Sequence, residues 1–173
     1  MDLRASIRNI PDFPKKGVMF RDITTLLGNP SAFREAVETL DALLGPAPVD
    51  RIACVESRGF LFGAPLALRR GCGLVLLRKL GKLPAETIRE TYALEYGEDT
   101  LEMHRDAVRA GERVVVVDDL LATGGTAAAA ARLVESAGGR VVCLLFLVEL
   151  SFLRGRDALK KWDVRAAVSY ESE

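Results

Sequence analysis

The chain has 173 residues, with 24 Lys plus Arg balanced by 24 Asp plus Glu, and 49% of its residues are hydrophobic. That length suits a single domain, 1–173, with a sizeable core. The zero net charge argues against nucleic-acid and membrane-surface partners, and no apolar run reaches the length of a membrane span.

In chain order, the opening MDLRASIRNI lacks the apolar run of a signal peptide, so the expectation is a cytoplasmic protein. Residues 2–9 have the spacing of a short amphipathic helix that stops before Pro11. The stretch 10–24, IPDFPKKGVMFRDIT, is irregular and oddly rich in Phe and Ile for a linker. A helix is predicted over 31–44, capped by Asn29 or Ser31 and stopped by Gly45-Pro46. A buried strand follows at 51–56, then a helix at 60–70 closed by Gly71, and a strand at 73–78. Residues 79–100 are polar and without helical period, a long excursion with room for a hairpin between Thr87 and Glu95. Strand 113–118, helix 123–137 and strand 140–149 make another β-α-β unit, and the tail holds a short helix and a strand at 164–168. Apolar strands alternating with helices indicate an α/β fold with a mostly parallel central sheet flanked by helices. Cys54 and Cys143 lie in apolar runs, Cys72 is the third cysteine, and none forms a CxxC pair; this usage fits a reducing compartment.

The densest chemistry lies at RVVVVDDLLATGGT, residues 113–126. Ligands of parallel sheets bind at the carboxyl ends of strands. The small residues Ala122, Thr123, Gly124, Gly125 and Thr126 let backbone N–H groups approach a ligand and open a helix whose N-terminus attracts anions. Asp118 and Asp119 stand beside this phosphate cradle, suited to accept from sugar hydroxyls or to help hold a hydrated Mg²⁺. A capping role explains one aspartate, but not the pair followed by Gly-Gly-Thr and a helix. The loop is neither a Walker A motif nor a GxGxxG fingerprint.

Four hydrophobics, two acids, two hydrophobics and ATGGT resemble the phosphoribosyl-pyrophosphate signature of the phosphoribosyltransferases. FPKKGVMFRDITTLL (13–27), ESRGFLFG (56–63), RKLGKLP (78–84), LEYGEDTLE (94–102) and LVEL (147–150) resemble blocks of the adenine-specific family in the same order, covering most of the chain. The resemblance implies the type I phosphoribosyltransferase fold, with a small hood from about 1–30 and 147–173 and a flexible catalytic loop at about 79–97. It implies purine salvage by transfer of the 5-phosphoribosyl group from phosphoribosyl pyrophosphate to adenine, giving AMP and pyrophosphate, with Mg²⁺ as cofactor and a homodimer as assembly. By the same resemblance Asp118 and Asp119 face the ribose, and Ala122 to Thr126 hold the 5′-phosphate. Ser57, Arg58, Gly59, Arg78 and Lys79 bind pyrophosphate, Arg58 and Lys79 as catalytic cations. Met19, Phe20, Arg21 and Leu147 form the adenine site, Phe20 on the purine face and the backbone of Met19 and Arg21 at its edge, while Glu95 is the loop glutamate that approaches the purine. Lys16 stands where related sequences commonly carry a second proline. Taken alone, Arg58 and Glu95 also read as solvated loop residues. His104, the one histidine, reads as structural. Transfer to another purine base and non-catalytic sensing of phosphoribosyl pyrophosphate are the rival functions. The hood segment argues against the first, and the lack of an output module against the second.

Overall fold

The computed structural model describes residues 2–93 and 97–172. Leu94, Glu95 and Tyr96 lie outside the described residues, so the expected role of Glu95 is untouched by the geometry that follows.

Seven strands form the main sheet: β3 (Arg51–Val55), β4 (Gly73–Lys79), β5 (Thr87–Ala93), β6 (Glu98–His104), β7 (Arg113–Leu121), β8 (Arg140–Leu150) and β9 (Val164–Tyr170), in the spatial order β5-β6-β4-β3-β7-β8-β9. The block from β4 to β9 is parallel, and the β5–β6 hairpin adds to it antiparallel. The mostly parallel sheet expected from the apolar strands is therefore present.

Two clusters fill the two sheet faces. On one, helix α2 (Pro30–Leu44) and helix α3 (Gly59–Arg70) pack Ala32, Ala36, Leu40, Phe62 and Leu66 against Ile52, Cys54, Val115, Val117 and Leu145. The fourfold spacing of Ala32, Ala36, Leu40 and Leu44 makes the buried stripe of α2, and Asn29 caps it by accepting from the amides of Ser31 and Ala32. Gly71 ends α3 with a left-handed φ of 63°. On the other face helix α4 (Gly125–Ser136) packs Ala127 to Ala131, Leu133 and Val134 against Val114, Val116, Leu144 and Phe146.

The N-terminal arm departs from the expected helix at 2–9. Arg4–Ser6 make a single 3-10 turn, and β1 (Arg8–Ile10) then pairs antiparallel with β2 (Phe20–Asp22). Pairing with a segment twelve residues on overrides a weak local helix preference, which eight residues could not sustain. After the short helix α1 (Thr24–Leu27) the chain joins α2. Arg8 pairs with Asp22 at 2.5 Å. The carboxyl of Asp22 is lowered to about 2 by the Thr24 amide and then by Arg8. The C-terminus clamps the arm: Arg21 stacks 4.0 Å from the Tyr170 ring centroid and donates to the carbonyl of Ser172 at 3.2 Å. The expected tail helix is instead a pair of 3-10 turns, Ser151–Leu153 and Gly155–Leu159.

Within the expected excursion, Thr87–Ala93 pair with Glu98–His104 as two strands. Seven register pairs join β5 and β6, from Thr87↔His104 to Ala93↔Glu98, and Arg78↔Glu102 and Lys79↔Leu101 join β6 to the sheet. Between β4 and β5, residues 80–86 contain no helix or strand. No helix among the described residues is long and apolar enough to cross a membrane.

Candidate active site

From β3 the chain moves to β4 on one side, and later to β7 on the other. That reversal opens a crevice at the carboxyl ends of β3 and β7. The loop Glu56-Ser57-Arg58 leaves β3 there. β7 outruns β3: their last register pair is Cys54↔Val117, whereas β7 stays paired with β8 to Leu121↔Glu149. Asp118 and Asp119 are therefore within a strand rather than at its end, in the stretch of β7 that has lost its β3 neighbour. A cleft of about 410 Å³ opens at this point, lined by Ser57, Arg58, Lys79, Asp118, Asp119 and Thr126 among others.

Burial, then the adjacent charge of Asp119, pushes the Asp118 carboxyl well above the usual range. Burial also raises Asp119, against the pull of Arg58, whose Nε lies 2.8 Å from its Oδ2. The cation favours the charged form of Asp119, which leaves Asp118 the weaker acid of the two. Side by side, the two carboxyls offer acceptor oxygens suited to neighbouring hydroxyls of a sugar. Gly59 permits this arrangement: a Cβ there would meet the carbonyl of Val117 at 2.9 Å and Oδ1 of Asp118 at 3.0 Å.

Beyond β7, Ala122 to Thr126 line a pocket of about 90 Å³ with Leu120, Leu121, Ala127 and Phe146. That is the space of about three waters, on the scale of one phosphate group. The unpaired first amides of α4 open onto it. Gly124 has φ of 88°, and a Cβ there would sit 2.5 Å from the carbonyl of Gly155. Gly155 in turn leaves only 2.3 Å between its own hypothetical Cβ and the carbonyl of Ala122. The loop thus rests directly on backbone from the tail.

Of the two expected pyrophosphate residues on β4, only Lys79 lines the cleft. Its ammonium pairs with Asp99 and donates to the Tyr92 hydroxyl at 3.1 Å. Burial opposes its charge, but these hydrogen bonds outweigh burial and raise Lys79 above the ordinary lysine range. Arg78 is committed to Glu56 at 3.1 Å, with Lys82 on the same oxygen at 2.8 Å and the Lys79 amide on the other at 2.9 Å. Burial resists ionisation of Glu56, yet the bonds from Arg78, Lys82 and that amide lower it to about 2.

At the hood, the Arg58 guanidinium lies 5.8 Å from the Phe20 ring centroid, so β2 reaches the loop after β3. Phe13 packs edge-on against Phe20 at 5.0 Å. Met19 is half-buried beside them in sequence. The Arg21 side chain is spent on Tyr170, Asn9 and Ser172, which leaves its backbone as the ligand-facing candidate. Leu147 corrects the expectation: it has no exposed surface and packs in the core with Ile23 and Leu26. Its neighbour Phe146 borders the phosphate pocket instead. Sequence reasoning missed Phe146, Glu56, Tyr92 and Gly155, because each is defined by a partner distant in the chain.

Residues 32–168 match the phosphoribosyl transferase domain. An adenine phosphoribosyltransferase of an Anaeromyxobacter species is 55% identical over 168 residues, 97% of this chain and 95% of that one. The chain belongs to the adenine phosphoribosyltransferase family. The crystal structure of an adenine phosphoribosyltransferase from Thermoanaerobacter pseudethanolicus superimposes with a TM-score of 0.95 at 54% identity, covering 98% of each chain. A family member from Saccharomyces cerevisiae, solved in complex with adenine and an imino-altritol bisphosphate, gives 0.91 at 40% identity over 96% of each chain. Among the described residues no three His, Cys, Asp or Glu side chains gather where they would hold a metal ion.

Proposed function

We infer that this chain transfers the 5-phosphoribosyl group of phosphoribosyl pyrophosphate to adenine, giving AMP and pyrophosphate in purine salvage. The observation that carries the reading is the crevice between β3 and β7, where a candidate phosphate loop, an acid pair and a cationic loop line two adjoining pockets that share Asp118 and Thr126. In this reading Ala122 to Thr126 hold the 5′-phosphate through α4 amides and the two threonine hydroxyls. Asp118 and Asp119 bind the ribose hydroxyls and steady the positive charge that builds at C1′. The bond from C1′ to the pyrophosphate oxygen breaks as the bond to the purine nitrogen forms, and that nitrogen releases its proton. Charge grows on the departing pyrophosphate. Arg58, Lys79 and the amides of Ser57 and Gly59 stand to meet it without reorganising. Phe20 stacks on the purine, with Met19 and Arg21 reading its edge through backbone groups. The resemblance gives Glu95 the proton at the purine. Exclusion of water we assign to the 79–97 segment, whose Tyr92 already roofs Thr126.

Mg²⁺, held by oxygens of the substrate itself, would offset the charge of the pyrophosphate; Asp119 is held by Arg58, so hydroxyls rather than a bare cation suit the pair. The assembly is a homodimer in this proposal. Leu61, Pro65 and Leu68 form one outward face of α3, with Leu61 41% and Leu68 85% exposed, and Leu74 and Leu76 on β4 lie partly open beside it. Such a face calls for a partner. A cytoplasmic location accords with three free cysteines, two of them buried.

A product assay with adenine, hypoxanthine and guanine, each with phosphoribosyl pyrophosphate and Mg²⁺, tests the function. Adenine should be preferred by a large factor, up to ~10⁴ where hydrogen-bond donors and acceptors mismatch. Equal turnover of hypoxanthine or guanine would sink the assignment.

A further inference from the structure

Tyr92 is 5% exposed, its ring set in the core against α4 and its hydroxyl open to neither ligand pocket. That hydroxyl nevertheless joins both pockets. It donates to Asp99 at 3.2 Å and accepts from Lys79 at 3.1 Å and from the Thr126 hydroxyl at 3.2 Å. A phenol has one hydrogen and two lone pairs, so all its capacity is in use. Lys79 has three ammonium hydrogens; Asp99 and Tyr92 take two and leave the third for the cleft. Thr126 has a single hydroxyl hydrogen, and it is directed to Tyr92 rather than to the phosphate pocket.

We propose that Tyr92 is a positioning residue that aims Lys79 at the pyrophosphate end of the cleft while holding the Thr126 hydroxyl away from the phosphate end. The two arms have opposite consequences. Lys79 gains from its anchor, because its ammonium is fixed before the anion arrives. Thr126 must turn its hydrogen from Tyr92 to the incoming phosphate, which costs one hydrogen bond. The proposal rests on the assignment of Lys79 to pyrophosphate and of Thr126 to the 5′-phosphate.

The test is isothermal titration of the full-length protein with inorganic pyrophosphate plus Mg²⁺ and, separately, with ribose 5-phosphate. Tyr92→Phe keeps the ring in its packing. Its partners Asp99 and Lys79 have side chains 28% and 37% exposed, within reach of water, so the variant retains its fold and a cooperative melt. Pyrophosphate should bind about 2- to 10-fold more weakly, the worth of one ordinary hydrogen bond, since Asp99 still holds the ammonium. Ribose 5-phosphate should bind unchanged or slightly tighter. Equal weakening of both ligands would mean that Tyr92 is merely structural, and no change in either would mean that it positions nothing. Lys79→Met separates the proposal from its foundation. If Lys79→Met leaves pyrophosphate binding intact, the assignment of Lys79 to that anion is wrong. If Lys79→Met weakens binding and Tyr92→Phe does not, only the positioning role falls.

Discussion

Glu56→Gln removes one charge and almost no volume from the base of the pyrophosphate loop. The wild-type side chain is 10% exposed and accepts from Arg78, Lys82 and the Lys79 amide. Lowering its carboxyl from the ordinary 4.5 to about 2 corresponds to about 3 kcal/mol of differential stabilisation. The side chains of Arg78 and Lys82 are 31% and 49% exposed, so solvent screening reduces the expected effect to about 1–2 kcal/mol. The folded-state value lies below the unfolded one. The stabilisation is therefore complete above pH 4.5 and is lost as pH falls towards 2. Urea unfolding of both proteins from pH 7 to pH 2.5 measures this. The wild type should be more stable at pH 7, and the gap should close progressively below pH 4.5. A gap that stays constant with pH, or no gap at pH 7, would refute the ion-pair account.

Gly124→Ala forces a side chain into a left-handed φ of 88° with its Cβ 2.5 Å from the Gly155 carbonyl. It should cost at least ~1–2 kcal/mol in the melting curve and raise KM for phosphoribosyl pyrophosphate. Asp119→Asn leaves Arg58 without its 2.8 Å partner and should lower kcat/KM for the sugar substrate ~10–100-fold with little change in far-ultraviolet circular dichroism. Leu68→Glu alters an 85% exposed position and should leave a folded chain, but sedimentation should report a monomer against the dimer proposed for the wild type.

The sheet was readable in the sequence because its strands are continuous apolar runs, and the pocket lined by Ala122 to Thr126 because its small residues are contiguous. The arm was not, because β1 exists only through pairing with β2. Leu147 was drawn to the adenine site by its place in a matched block, although strand alternation turns its side chain into the core and leaves Phe146 at the pocket. Arg78 and Lys79 are neighbours in sequence, yet successive residues of a strand face opposite ways. One therefore serves Glu56 and the other the cleft. Gly155 carries no local signal, since its meaning is the Ala122 carbonyl more than thirty residues away.

The alanine run of α4 has a consequence for the thermodynamics of the phosphate pocket. Ala127 to Ala131 are all buried where α4 packs on the sheet, the β5–β6 hairpin at its edge included. Methyl side chains have no rotamers to freeze, so this stretch of the helix folds at the cost of backbone order alone. Larger residues would hold the sheet further from the helix axis and would have torsions to settle when a ligand docked. Here nothing on that face remains to be settled. On the proposed reading, the amides at the head of α4 are aimed before the phosphate arrives, and its binding enthalpy is not taxed by rearrangement of the helix beneath it.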